Sequence, residues 1–401
     1  MITVAIICEY NPFHYGHLHQ IEQIRSEFGS DTRIIAIMSG NYVQRGEVAV
    51  ADKLTRAKSA VECGVNLVLE LPFPYCASSA EFFARAGVSI ADALGIVNVL
   101  SFGSECGSVE KLSYIASLTE GEEFINTIRD LTDADPKLSH PKATMLALEQ
   151  IANNNSIDLS PNNLLGVEYI KALNDVGSSI LPHTIPRSGA AYRENETVSG
   201  KIQSATAIRT LINKGEENWV PYLPVSMAEG LMADINNGYA PCDINRLSAM
   251  MIGYFRLNPQ PVSESIHDTG GGLYNRLSAM SLKANTFNEL TNLAVTGKYT
   301  ASRIRRAILN SILGVTSSAV RERPTYTQLL AMDRNGRAML KEIRKHGDIT
   351  ILTKPSRVED LSDEGKRQKE LADKADSLFQ LTKPNPPSGA YSLKMTPFVK
   401  E

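Results

Sequence analysis

The chain has 401 residues, 43% hydrophobic and 21% charged, with a net charge of −3. That length exceeds one ordinary hydrophobic core, so two domains are expected, and the near-neutral balance leaves any polyanion binding to local charge. Five cysteines, with no Cys-x-x-Cys pair among them, exclude a disulfide framework and a zinc ribbon; without a targeting segment or a run of roughly 18 apolar residues, a cytoplasmic protein is expected.

Ile2-Thr-Val-Ala-Ile-Ile-Cys8 is a continuous β-branched run, the pattern of a strand buried on both faces of a parallel sheet. A turn-forming stretch from Glu9 to His14 follows. A helix from about Gly16 then carries Leu18, Ile21, Ile24 and Phe28 on one face. The alternation continues with a strand at Arg33–Met38, a helix over 50–63, a strand at Val65–Glu70, a helix over 79–95 and a strand at Ile96–Ser101. Strands alternating with helices predict an α/β fold, a Rossmann-like parallel sheet with helices on both faces. Ligands of such sheets bind beyond the carboxyl ends of the strands. His14, Ser39-Gly40 and Gly103-Ser104 all fall there, around one crevice.

Residues 108–175 look helical, an insertion before a fifth strand at Ile180–Ile185 that delivers Arg187 to the same rim. Ser204–Lys214 starts a helix. A first domain is expected over 1–215 and a second, mainly helical one over 216–401, with a short strand at Ile349–Thr353 and an extended tail around Pro384–Gly389.

His14-Tyr15-Gly16-His17 spans the first strand-to-helix turn. Gly16 lets backbone approach a ligand, and a helix N-terminus offers free N–H groups and the positive end of its dipole to phosphate. Two imidazoles there can donate to phosphate oxygens as charge builds in transfer at an α-phosphate. From composition alone, a chance His-x-Gly-His is expected roughly 0.01 times per chain. The alternatives are a pair of surface or capping histidines, or a zinc site including His19. In Ser204-Ala-Thr-Ala-Ile-Arg209, Ser204 and Thr206 can cap a helix or bond phosphate, and the Arg209 guanidinium suits a triphosphate. Ser39–Gly46 is a polar loop in which Arg45 either contacts phosphate or RNA or is simply solvated. Lys53 and Arg56 either face the cleft or do not. From 298 to 345 there are eleven Lys or Arg against three acids, the footprint expected for a polyanion, with Tyr299 and Tyr326 as candidates to stack on bases.

Six segments occur together in order: Glu9–His17, Met38–Gly46, Glu70–Phe73, Phe102–Glu105, Pro161–Gly166 and Ser204–Arg209. In these the chain resembles the tRNA(Met) cytidine acetate ligase family of the HxGH nucleotidyltransferase superfamily. The resemblance implies an ATP-dependent ligase in two steps. Acetate is activated as acetyl-adenylate; the acetyl group then passes to N4 of the wobble cytidine, C34, of elongator tRNA(Met). His14 and His17 would be catalytic. The nucleotide would contact Ile7, Cys8, Glu9, Tyr10, Asn11, Pro12, Phe13, His14, Tyr15, Gly16, His17, Leu18, His19 and Gln20, together with Gly103, Asn162 or Asn163, Arg187, Ser204, Thr206 and Arg209. Mg²⁺ would accompany ATP, with ligands unknown, and the basic C-terminal half would hold tRNA. A small-molecule adenylyltransferase and an RNA-binding protein with a regulatory nucleotide site are the competing readings.

Overall fold

A computed structural model of the chain describes residues 1–152, 158–187, 203–263 and 265–401. The first apolar run forms β1 (Thr3–Cys8), followed by helix α1 (Tyr15–Phe28) and β2 (Arg33–Ser39). A small hairpin, β3 (Tyr42–Val43) and β4 (Glu47–Val48), leads to α2 (Lys53–Glu62), β5 (Leu67–Leu71), α3 (Ala80–Ala93) and β6 (Val99–Ser104). The insertion supplies α4 (Val109–Glu120), α5 (Glu122–Ala134), α6 (His140–Ile151) and α7 (Pro161–Val176), before β7 (Leu181–Pro186) and α8 (Ala205–Asn213).

These five long strands pair in parallel in the order β5-β2-β1-β6-β7. The period of two in side-chain direction explains why the runs are apolar throughout. Ala5, Ile7, Ile35, Ile37, Leu67 and Leu69 face a core shared with α3, α4 and α7. Val4, Ile6, Ile34, Ala36, Met38 and Val68 face the opposite core, shared with α1, α2 and α8. After β1 the chain moves to β2 on one side, whereas β6 lies on the other. The strand order therefore reverses between β1 and β6, and the crevice beyond their carboxyl ends is where such a sheet takes a ligand.

From 225 the chain is mainly helical: α9 (Val225–Asn236), α10 (Ser248–Leu257), α11 (Leu273–Ser281), α12 (Phe287–Ala294), α13 (Ala301–Leu313) and α14 (Ser317–Arg321). It then re-enters the sheet. β8 (Tyr326–Met332) pairs antiparallel with β5, and after α15 (Arg334–His346) the expected short strand appears as β9 (Thr350–Leu352) beside β8. α16 (Asp363–Gln380) follows, and β10 (Phe398–Val399), parallel to β8 on the side opposite β5, completes an eight-stranded sheet. The strand β8 departs from the sequence expectation. Its residues, Tyr-Thr-Gln-Leu-Leu-Ala-Met, mix polar side chains with strong helix formers, and tertiary placement overrides that propensity. Thr327 supports it by donating its hydroxyl to the Glu70 carbonyl at 2.7 Å. No helix among the described residues is long and apolar enough to cross a membrane.

Candidate active site

His14 is the N-cap of α1. Its Nδ1 accepts from the Gly16 N–H at 3.0 Å, and the His17 Nδ1 accepts from the His14 N–H at 3.2 Å. The two histidines thus form a reciprocal capping box in the places usually held by Ser/Thr and Glu/Gln. Their rings stack with centroids 3.8 Å apart. Burial, with Arg187 and Arg209 nearby, lowers the His14 pKa to about 3; burial, then His14 and Arg187, hold His17 well below its ordinary value. Both imidazoles are therefore neutral near pH 7. With each Nδ1 occupied as an acceptor, each proton resides on Nε2. The capping geometry thus fixes two Nε2–H donors at the mouth of a helix N-terminus.

A cleft opens over this turn, lined by His14, Gly16, His17, His19, Gln20, Gly103, Ile185, Pro186 and Arg187. β6 and β7 bring Gly103 and Arg187 to its far wall, where the Arg187 N–H donates to the Ser104 carbonyl at 2.8 Å. A Cβ on Gly103 would sit 2.8 Å from Arg187 Cδ, so only glycine lets the arginine lie flat across β6. Arg187 donates to Asn162 Oδ1 at 3.1 Å, and Asn162 donates to the Glu105 carboxylate at 2.5 Å. Glu105 also accepts from the Asn163 N–H at 2.9 Å. Partial burial opposes its charge, but these hydrogen bonds prevail and hold its pKa below the ordinary value.

The structure separates the two asparagines. Asn163 is fully buried, and its Oδ1 accepts from the Glu105 and Cys106 N–H groups, so it shapes the loop. Asn162 is the one that reaches the rim through Arg187. Glu105 lies within one of the six segments, yet its place as the hub is not visible in sequence. Its pairing with Asn162 crosses 57 residues, which local pattern does not show.

Arg209, on α8, crosses to the same turn. It donates to the Asn11 carbonyl at 2.8 Å and to Thr206 Oγ1 at 3.2 Å, while Ser204 Oγ caps α8 by accepting from the Ala207 N–H. Within the strand-loop-helix segment, Ile7, Tyr10, Asn11, Phe13 and His19 are buried. Asn11 Oδ1 accepts from the Val50 N–H at 2.8 Å, Cys8 Sγ lies 3.9 Å from the Ile37 carbonyl, and Leu18 packs from α1 onto the core beneath it. Pro12 and Tyr15 complete the turn, and Gln20 donates to the Ser101 carbonyl at 3.4 Å. Glu9 accepts from the Gln44 N–H at 2.9 Å; burial raises its pKa, with Arg209, Arg45 and Arg56 opposing.

Three readings that the sequence leaves open are decided by the structure. Lys53 and Arg56 do not face the cleft. Lys53 is buried between Glu70, at 2.7 Å, and Asp376, at 2.6 Å. Arg56, with no exposure, donates to the carbonyls of Glu9, Ser39, Gly40 and Ala51, knitting together the ends of β1 and β2. Helix starts with polar caps look alike whether they face a cleft or a core. Tyr326 is buried in β8 and Tyr299 packs with its hydroxyl on the Gly271 carbonyl, so neither offers a face to a base. Finally, the basic stretch is not one surface. Arg305 pairs with Glu47 of the hairpin above β2 at 2.6 Å and Arg306 pairs with Asp268 at 2.8 Å, whereas α15 lies across the opposite, amino-terminal ends of the strands. Among the described residues no group of three His, Cys, Asp or Glu side chains is placed to hold a metal, so the zinc alternative has no ligand set there.

Comparison with known proteins gives a consistent picture. A family model described as HIGH Nucleotidyl Transferase matches residues 1–392. The chain is 37% identical over 364 residues to the tRNA(Met) cytidine acetate ligase of Thermoanaerobacter sp. (strain X514), covering 89% of each chain. It is 32% identical over 404 residues to the tRNA(Met) cytidine acetate ligase of Acetivibrio thermocellus, covering 96% of each. The crystal structure of Thermotoga maritima TmcAL bound with alpha-thio ATP superposes with a TM-score of 0.91 at 30% identity, covering all of both chains; the apo form gives 0.90.

Proposed function

The chain belongs to the HIGH nucleotidyl transferase family and, within it, to the tRNA(Met) cytidine acetate ligases, and from that premise we propose how its residues divide the work. The enzyme binds ATP and activates acetate. A carboxylate oxygen of acetate attacks the α-phosphorus, the bond from that phosphorus to the bridging oxygen of pyrophosphate breaks, and acetyl-adenylate forms. The N4 amine of cytidine 34 in elongator tRNA(Met) then attacks the acetyl carbonyl. The tetrahedral adduct loses a proton and expels AMP, leaving N4-acetylcytidine. Adenylation is needed because a carboxylate resists nucleophilic attack and carries no good leaving group.

In this reading the triphosphate lies along the N-terminus of α1. His14 and His17 donate Nε2–H to phosphate oxygens, where charge grows in the first transition state. Arg187 and Arg209 supply positive charge from the two flanks, each held by a neighbour that leaves its remaining N–H groups free to turn toward phosphate. Ser204 and Thr206 keep Arg209 at the rim. The single observation that carries this reading is the double use of Nδ1 as acceptor, which commits both imidazoles as neutral donors. Mg²⁺ would arrive with the triphosphate and offset part of its charge; Glu9 and Glu105 already accept backbone hydrogen bonds. The cleft, rather than bulk water, would shelter acetyl-adenylate from hydrolysis. A cytoplasmic location belongs to the same proposal.

The test is exchange of labelled pyrophosphate into ATP with and without acetate, followed by mass spectrometry of tRNA(Met) incubated with ATP and acetate. Acetate-dependent exchange and one added acetyl group on the wobble cytidine are expected. Exchange that ignores acetate would point instead to the small-molecule adenylyltransferase reading.

A further inference from the structure

α15 crosses the amino-terminal ends of the strands. Its N-cap Asp333 receives an N–H from Asn66 at the start of β5, Glu342 in its middle pairs with Arg33 at the start of β2 at 2.7 Å, and its C-terminal His346 abuts Gly95 ahead of β6. Met339, Leu340 and Ile343 bury one side against the sheet. The other side is exposed and carries Arg334, Arg337, Lys341, Arg344 and Lys345. Steps of three, four and three residues along Arg334, Arg337, Lys341 and Arg344 place these charges in a row on one helix face. A rise of 1.5 Å per residue makes that row about 15 Å long. Glu342, the only acid on the helix, is already paired with Arg33, and among the described residues none of the five basic side chains forms an ion pair.

A row of unpaired cations is repulsive on its own, and a ladder of phosphates relieves that repulsion by releasing counterions. Its place is the informative part. β2 has seven residues, which at 3.3 Å each puts α15 about 20 Å from the cleft rim, facing the other way. An anticodon loop whose base enters the cleft cannot also touch this row. A more distant arm of the same RNA, running down the flank of the sheet, can. We infer that the exposed face of α15 is a second RNA-backbone contact, engaging phosphates remote from the reacting cytidine. The inference rests on the reading that the chain acts on tRNA.

The test compares full-length tRNA(Met) with an isolated anticodon stem-loop of the same sequence, in binding and in acetylation. The variants are R337E/K341E/R344E and the milder R337Q/K341Q/R344Q, which keeps the helix polar if charge reversal harms folding. Without these three cations to meet phosphate, the enzyme should bind full-length tRNA roughly ten- to a hundred-fold more weakly, and the slope of log affinity against log salt should flatten by about two. Stem-loop binding and acetate-dependent pyrophosphate exchange should not change. Equal weakening for both RNAs would overturn the inference, because the row would then serve the loop. Unchanged binding of both would also overturn it, leaving α15 a solvated face. Failure of the wild-type enzyme to acetylate either RNA would instead overturn the tRNA reading itself.

Discussion

The two histidines cap α1 and, in the proposed mechanism, also donate to phosphate, and the two roles can be separated by experiment. As caps they satisfy backbone N–H groups that the helix start would otherwise leave open, a contribution of about 1 kcal/mol each. As Nε2–H donors they would, in the proposed mechanism, meet the growing charge of the transition state, where losing one donor costs roughly 10²–10³ in rate. His17→Ala should therefore lower acetate-dependent pyrophosphate exchange by that factor, reduce thermal stability only modestly, and leave tRNA affinity unchanged. Unaltered turnover would remove His17 from the mechanism. The neutral state of His14 has a further consequence. Its pKa is about 3 in the folded chain against about 6.5 unfolded, so between these values the unfolded chain binds a proton that the folded chain does not. Stability of the unliganded protein should fall as pH drops through 6.5, by at most about 1.4 kcal/mol per pH unit for this one group. His14→Asn should flatten that slope between pH 6.5 and 4.5 in urea melts. An unchanged slope would mean that other groups dominate the window.

At the scale of strands and helices, the cleft depends on β6 and β7 lying side by side with no side chain between Arg187 and the sheet. The nearest atoms a new Cβ would meet belong to the flexible arginine, not to backbone. Gly103→Ala should therefore fold normally but push Arg187 off the rim, raising the KM for ATP about ten-fold with little change in melting temperature. A matching loss of stability would show that the glycine serves packing instead. These strands are readable in the sequence because both faces are buried, which makes them continuous apolar runs. The histidine turn is readable because its residues fall within four positions. What stays hidden is whatever distance in sequence conceals. Glu105 finds Asn162 across the insertion, Lys53 is neutralised by Asp376 from near the C-terminus, and β8 lacks the pattern of a buried strand because its polar Thr327 is satisfied by Glu70. Amphipathic helices are legible as helices but not as to which end of the sheet they cover, and so α13 and α15 read as one basic stretch.

For the whole molecule, the distribution of strands decides whether the first 215 residues can act alone. In the full chain β8 covers the open edge of β5, and Leu330 and Ala331 fill the core beside Val68. The C-terminal segment also supplies Asp376 to Lys53, and Lys383 to Asp52 at 3.0 Å, with Lys383 packed over Tyr239, Phe379 and Tyr391. Cutting after residue 215 would leave an unpaired apolar strand edge, which invites aggregation. It would also leave Lys53 and Glu70 without the second carboxylate, and breaking a buried charge cluster by removing one partner costs about 3–5 kcal/mol. That loss is a large share of the stability of an ordinary domain. A fragment of residues 1–215 should therefore aggregate or melt without a cooperative transition, and ATP should not stabilise it, whereas ATP should raise the melting temperature of the full chain. A cooperative, ATP-sensitive melt of the fragment would show that the sheet closes without β8. It would make the C-terminal half an appended module rather than part of the nucleotide-binding sheet.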